Sequence, residues 1–258
     1  MIGAAESEVR QAGLRLIRQS DWMIRYPDLV QGITGRDLEL EFGSSTRQVA
    51  DPASGVVSSD GSSTGWSRLL AAANVPSLAR CKQVHGAAVA VFDGERATGV
   101  NDLGEADALV TASGEVVLAI TVADCVPAFM LDPQRRVLGL AHAGWRGAAA
   151  GVVESTARRM LELGADLGAL QVHLGPAICG ACYEVGPEVP AALGGPPEGT
   201  RHVDLRAHIV QRLARIGVAW ERVTTSDGCT RCDSERFFSY RGGDRGRRMC
   251  AFLGWASR

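Results

Sequence analysis

Lysine, histidine, long apolar runs and any excess of charge are scarce or missing in this chain, and each shortage excludes something. The 258 residues carry 27 Lys plus Arg against 29 Asp plus Glu, a formal net charge of −2. With both signs interspersed, the basic footprint of a dedicated nucleic-acid binder is missing. The longest apolar runs, "VVLAITVA" and "VPAFML", fall far short of the roughly 20 residues of a membrane-spanning helix. Glu6, Glu8 and Arg10 interrupt any apolar stretch that could serve as a secretory leader. Seven cysteines, an odd number, argue against a secreted disulfide scaffold. These features point to a soluble, cytoplasmic protein with reduced thiols and without nucleic-acid or membrane partners. A prior of roughly 150 residues per domain allows one large domain or two small ones. Folding at this size buries about 70% of the unfolded chain's surface, so no metal is needed merely to hold it together. Of the 27 basic residues only Lys82, in "KQVHG", is a lysine.

Along the chain, Val9, Leu14, Leu16 and Ile17 recur at roughly helical intervals and predict a helix over Ala4 to Gln19. "WMIRY" and "LVQGIT" read as short strands. From Gly43 to Gly65 the composition turns to Gly, Ser, Asp and Thr, which predicts a long mobile loop, about 43–65. A helix "SRLLAAANV" leads to Pro76. Then "LARCKQV", "AAVAVFD", "DALVT", "VVLAITV", "PAFMLD" and "VLGLAHA" follow in close succession as strands of a substantial sheet. The unbroken apolarity of "VVLAITV" predicts burial on both faces. A helix is expected over Trp145 to Leu163, stopped by Gly164, then a strand in "LQVHLGPA", a helix over Asp204 to Ile216 and closing strands in "ERVTTSD" and "RMCAFLGW". This mixed order predicts an α+β layered domain without internal repeats.

Three short segments concentrate the chemistry: "QVHG" at His85, "ADCVP" at Cys125 and "AHAGWRG" at His142. Each lies at or just beyond the end of a predicted strand, beside Gly or Pro, where a rigid sheet delivers side chains to a cleft. Two imidazoles and a thiolate suit zinc, and three protein ligands leave the fourth tetrahedral position open, the catalytic rather than the structural pattern. Bound zinc brings the pKa of its water to near 7. Spacing by itself leaves open a packed strand cysteine and two turn histidines, because no short metal motif spans the three.

The segments "KQVHG", "TVADCVPAFMLD", "LGLAHAGWRGAAAGV", "LGPAICGACYEVGPEV" and "FFSYRGGDRGRRMCAF" together resemble the YfiH-type family, variously called laccase-domain proteins, purine nucleoside phosphorylases or peptidoglycan editing factors. The resemblance runs from about Arg36 to the C-terminus. It implies a single YfiH-like domain over 1–258 with four α/β/β/α layers, monomeric or homodimeric, with zinc on His85, Cys125 and His142. The implied activity is phosphorolysis of adenosine, inosine and methylthioadenosine, with deamination of adenosine. Phosphorolysis needs a phosphate beside the anomeric carbon, and guanidinium groups offer it bidentate donors. Arg36 in "GITGRD", Arg146 four residues past His142, and Arg241 in "FFSYR" stand at family motif positions for that task. Tyr240 is a candidate to stack on or hydrogen-bond the base, a packed structural tyrosine being the equal alternative. Asp124 would orient a ligand or shuttle a proton, and Lys82 would add positive charge at the site mouth. The family usually has a His where Gln31 stands and an Asn-rich stretch where this chain reads "RDLELEFGSSTRQVADPASG", so a rebuilt N-terminal side of the pocket is expected.

The remaining cysteines offer rival readings. Cys179 with Cys182, and Cys229 with Cys232, form two C-x-x-C pairs, but the stretch between them far exceeds the roughly 15–20 residues typical of zinc ribbons, so a second zinc is not expected. A redox dithiol lacks the βαβ context of thioredoxin-like motifs. Cys81 and Cys250 read as packed strand residues, and His173 and His208 as structural. "PAICGAC" mimics half of a nucleobase deaminase motif, yet no H-x-E lies upstream. Cys125 could instead be a nucleophile activated by His142 and supported by Asp124, giving a cysteine-type hydrolase or an editing factor for peptidoglycan precursors. Copper is the weaker metal: five histidines, two of them already assigned, cannot furnish a three-copper cluster.

Overall fold

Strands buried on both faces build two mixed sheets that share an apolar interior. The computed structural model describes residues 2–3, 5–36, 42, 49–50, 57–58, 64–94, 98–196 and 202–256. The first sheet runs in the order Ile2–Gly3, Val223–Thr225, Gln171–Leu174, Val126–Asp132, Val137–Ala143, Ala108–Thr111, Val89–Phe92. The second runs Glu6–Gln11, Leu14–Gln19, Leu29–Thr34, Met249–Trp255, Val116–Val122, Ser77–Lys82, Gly99–Glu105.

Side chains alternate across each strand, so each sheet offers two apolar faces and needs a cover on both. Between the sheets, Leu109, Phe129, Leu131, Leu138 and Leu140 meet Ile33, Val116, Leu118, Ile120, Val122 and Leu253. On the outer face of the first sheet, Val110, Val126, Met130 and Ala141 pack against Val152, Val153, Met160, Ile209 and Leu213, which lie on the Val152–Glu162 and Leu205–Arg215 helices. On the outer face of the second, Leu16, Leu78, Val117 and Phe252 pack against Trp66 and Leu69 of the Thr64–Ala73 helix. Helix, sheet, sheet, helix is the α+β, four-layer order expected. Each fully buried Leu, Val or Phe contributes roughly 1.5–3 kcal/mol to it.

Several local expectations change. The helix expected over Ala4 to Gln19 is a hairpin of Glu6–Gln11 with Leu14–Gln19, turned at Ala12 (φ 47°) and Gly13 (φ 78°). Both positive angles suit the tight turn that matches strand twist. Leu16 and Ile17 are both buried because this sheet is covered on both faces, which blurs the period-two signal. "WMIRY" falls in and just after the Ser20–Arg25 helix, whose first turn is capped by the Gln19 side chain accepting from Trp22 N. The helix expected over Trp145 to Leu163 is two, Trp145–Ala150 and Val152–Glu162, broken at Gly151, which takes a left-handed φ of 84° that favours glycine. The Gly99–Glu105 strand and the short Glu188–Ala192 helix were not expected, since neither carries an apolar pattern. The loop expected at about 43–65 falls largely outside the described residues; within it Val49–Ala50 pairs with Val57–Ser58.

Candidate active site

At one end of the two sheets three loops deliver their side chains to one point. Antiparallel pairing places His142 opposite Pro127, so the last residues of Val137–Ala143 meet the first of Val126–Asp132, just after Cys125. His142 N donates to Asp107 O at 2.7 Å, which adds the end of a third strand. The Asp107 side chain, fully buried, then gathers the His85 loop: Val84 N, His85 N and Gly86 N donate to its carboxylate at 3.1, 2.9 and 2.6 Å. Three amides on one carboxylate curl the loop and fix His85, whose backbone takes a positive φ of 61°.

The donor atoms of His85, Cys125 and His142 all lie within 4.8 Å of one another. The two imidazoles meet edge to face, centroids 4.8 Å apart and planes at 82°. Burial pushes the Cys125 thiol up, but the charge and hydrogen bond of His142, helped by His85, override it and bring the thiol down to about 6. Burial likewise opposes the charged form of His142, yet the Cys125 thiolate and the hydrogen bond to Asp107 raise its ring to about 9. Asp107 is pushed up by burial and pulled further down by His142 and the Gly86 amide, so it stays below the ordinary carboxylate range. A Cβ on Gly144 would sit 3.0 Å from both Cys125 Sγ and His85 Cδ2; only glycine leaves that space open. A soft thiolate, two imidazoles, and a buried carboxylate on the outer nitrogen of one of them make a fitting set for a zinc ion.

The triad opens on a cavity of about 560 Å³ lined by Phe42, Trp66, Arg80, Gln83, Tyr183, Tyr240, Arg146 and Arg241, among others. Arg146 stacks over Trp145 at 4.3 Å. Arg241 lies over Tyr183 at 5.1 Å, and its Nη1 donates to Glu184 O at 2.7 Å. Phe42 and Trp66 meet edge to face at 4.9 Å and form an aromatic wall. Lys82 is on the cavity rim, paired with Glu105 at 2.7 Å.

Two expected site residues do other work. Arg36 is not among the residues lining the cavity. Its guanidinium reaches both Asp244 carboxylate oxygens, at 3.1 and 3.0 Å, and donates to Ser234 O and Phe237 O, both at 3.2 Å. That many partners leave it a loop fastener rather than an anion ligand. Asp124 does line the cavity, but its Oδ1 accepts from Thr230 Oγ1 at 2.6 Å and its Oδ2 from Arg241 N at 2.7 Å. Thus the group supporting His142 is Asp107, not Asp124, a correction to the expected Cys–His–Asp set. Gln31, where the family usually has His, is buried and exchanges hydrogen bonds with the Gln19 backbone. His173 is buried, near Thr224 and Glu6, and His208 is on the Leu205–Arg215 helix. Burial pushes the Cys250 thiol up, and it is a packed strand residue as expected; Cys81, pushed up to about 12 chiefly by burial, is only half-buried and lines the cavity, a correction to the packed residue expected there.

Sequence reasoning missed Asp107, Tyr183 and the Phe42–Trp66 wall. Nothing around Asp107 in "GEADALV" marks it, because its role depends on a strand pairing. The two C-x-x-C pairs also contradict expectation: the sulfurs of Cys179, Cys182, Cys229 and Cys232 all lie within 4.8 Å of one another. Folding removes the sequence gap that argued against them.

Residues 58–256 match the family described as multi-copper polyphenol oxidoreductase laccase. A Streptomyces coelicolor protein named purine nucleoside phosphorylase is 42% identical over 167 residues, 62% of this chain and 67% of the relative. A protein named adenosine deaminase from an unknown prokaryotic organism is 34% identical over 177 residues, 62% of this chain and 68% of the relative. The crystal structure of YlmD from Geobacillus stearothermophilus superposes with a TM-score of 0.77 at 27% identity, covering 97% of this chain and 98% of that one.

Proposed function

Because the chain belongs to the YfiH-type laccase-domain family, we propose that it is a zinc-dependent purine nucleoside phosphorylase acting on adenosine, inosine or methylthioadenosine, and that it also deaminates adenosine. The observation that carries this reading is the convergence of His85, Cys125 and His142 donors within 4.8 Å beside a cavity lined by Arg146 and Arg241. The names of the related phosphorylase and deaminase support the reaction class.

His85, Cys125 and His142 would hold a zinc ion, which would supply Lewis acidity when bound. A multicopper cluster does not fit, because among the described residues only two histidines, His85 and His142, line the cavity. The chain's own residues do the rest. Arg146 and Arg241 hold hydrogen phosphate through charge-assisted hydrogen bonds and keep it beside the ribose. Asp124, bonded to the Arg241 amide at 2.7 Å, positions that arginine's loop. Tyr240, 48% exposed at the cavity, offers a ring on which a purine stacks. A phosphate oxygen forms a bond to C1′ while the C1′–N9 bond breaks; the purine leaves with the bonding pair, and the proton of hydrogen phosphate ends on it. Holding both reactants in one cavity lowers the entropic part of the barrier. The proposed setting is the cytoplasm, where all seven thiols, free in this structure, stay reduced.

Purified protein incubated with adenosine or inosine, with and without phosphate, should release purine base only when phosphate is present, with metal content measured on the same sample. Metal-free protein that turns over at the full rate overturns the zinc mechanism.

A second reading rests on the Cys125–His142–Asp107 alignment, whose low thiol and raised imidazole are the ingredients of a cysteine hydrolase acting on peptidoglycan precursors. Coordination and nucleophilic attack compete for one sulfur. Turnover of a muropeptide precursor by metal-free protein, abolished by alkylating Cys125, together with no phosphate-dependent base release, would rank this reading first.

A further inference from the structure

We propose a second metal site: a closed, structural zinc held by the four thiolates of Cys179, Cys182, Cys229 and Cys232, which clamps together two loops of the active-site wall. Two C-x-x-C turns, far apart in sequence, face each other. Cys182 N donates to Cys179 O at 3.0 Å in the first turn, and Cys232 N donates to Cys229 Sγ at 3.4 Å in the second. The turns are laced by backbone bonds on either side of Ala177, whose N donates to Gly228 O at 3.4 Å and whose O accepts from Thr230 N at 3.2 Å.

The sulfur geometry is that of a ligand set. All four Sγ atoms lie within 4.8 Å of one another, and Cys182 Sγ is 3.3 Å from Cys232 Sγ. Tetrahedral zinc with Zn–S of about 2.3 Å requires S···S of about 3.8 Å, so small side-chain rotations complete the tetrahedron. Cys229 Sγ already accepts the amides of Cys179 and Cys232, at 3.3 and 3.4 Å. Such N–H···S bonds favour sulfur as thiolate, the form that binds metal. Four soft thiolates with no oxygen or imidazole among them select zinc over hard cations. Arg231, within the second turn, reaches across to the first, its Nη1 donating to Cys182 O at 3.0 Å.

The position gives the clamp its role. Tyr183, which follows Cys182, lines the catalytic cavity, and its N donates to Cys179 O at 3.0 Å. Thr230, inside the other turn, donates to Asp124 at 2.6 Å, and Glu184 O receives Arg241. One ion therefore ties down the segments that carry Tyr183 and that position Asp124 and Arg241. It makes no contact with substrate.

Metal content of the whole protein, purified without added chelator, tests this. Wild type is expected to hold one more zinc equivalent per chain than Cys232→Ser, and Cys232→His, which restores a ligand, is expected to regain it. Cys232 is exposed, so circular dichroism of both variants should match wild type. His85→Ala, which empties only the other site, should retain the four-thiolate zinc, so failure of one site is read separately from failure of the other. Cobalt-loaded His85→Ala protein should show thiolate-to-cobalt charge-transfer absorption, lost when Cys232→Ser is added. Zinc content unchanged by Cys232→Ser, a Cys182–Cys232 disulfide in protein prepared without oxygen, or iron on the four thiolates would each overturn the proposal.

Discussion

Nδ1 of His142 lies 2.9 Å from Oδ1 of Asp107, and the same oxygen accepts the backbone amide of His85 at 2.9 Å. One buried carboxylate thus orients both histidines of the proposed metal set, one through its ring and one through its backbone. A carboxylate on Nδ1 fixes the ring's orientation, leaves Nε2 to act as a ligand, and makes that ligand more basic.

Asp107→Asn should therefore weaken zinc binding by about 10–100-fold, the usual cost of losing such an outer partner. It should also lower stability by roughly 1–3 kcal/mol, since an amide nitrogen cannot accept the amides now bonded to that carboxylate. Competition with a chelator and denaturant unfolding read the two effects separately. Unchanged metal affinity would show that Asp107 only shapes the His85 loop.

Gly144→Ala places a methyl 3.0 Å from both Cys125 Sγ and His85 Cδ2. The backbone there has φ −74°, which alanine adopts freely, so the fold should tolerate the change with a stability loss of about 1 kcal/mol or less. Zinc content and phosphorolysis should fall together. A thermal melt close to wild type alongside lost metal is the expected pattern, and retained metal would count against convergence of these donors on one ion.

Metal uptake must displace protons. His142 is held up to about 9, so at neutral pH its ring is charged and has to lose a proton before it can ligate. The Cys125 thiol, brought down to about 6, has already lost its own. Apparent zinc affinity should rise about tenfold per pH unit between about 6 and 9, one proton being released per ion, and more steeply below that range. Chelator-buffered titrations at several pH values measure the slope; a flat profile would contradict the imidazolium–thiolate pair.

Asp124 touches Thr230 and the Arg241 amide and so acts through position. Asp124→Asn should raise KM for phosphate several-fold, with a smaller effect on kcat, because the amide oxygen still accepts from Arg241 N and the amide nitrogen donates to the Thr230 hydroxyl, so that only the charge assistance is lost, about 1 kcal/mol. A collapse of kcat at unchanged KM would instead make Asp124 a proton carrier.

His85, Cys125 and His142 were legible in the sequence because each stands beside Gly or Pro at the end of an apolar run, and such runs end where a sheet meets a cleft. Asp107 was not, since an aspartate before a strand is ordinary until antiparallel pairing sets it against His142. Arg36 misled because its motif position says nothing about Asp244, which holds it. The hairpin of Glu6–Gln11 with Leu14–Gln19 was mistaken for a helix for a related reason: a strand covered on both faces loses the alternation that distinguishes the two periods.

Local apolar patterning and residue chemistry, read one segment at a time, specify the α+β class, most of the central strands and the three segments that bear His85, Cys125 and His142. Folding was needed to bring those three donors within 4.8 Å of one another, to choose the carboxylate that serves His142 and the arginines that reach the cavity, and to set Cys179 and Cys182 against Cys229 and Cys232. Those depend on strand order and on loops brought together across the chain, and the distance between two residues in sequence places no bound on their distance in a folded sheet.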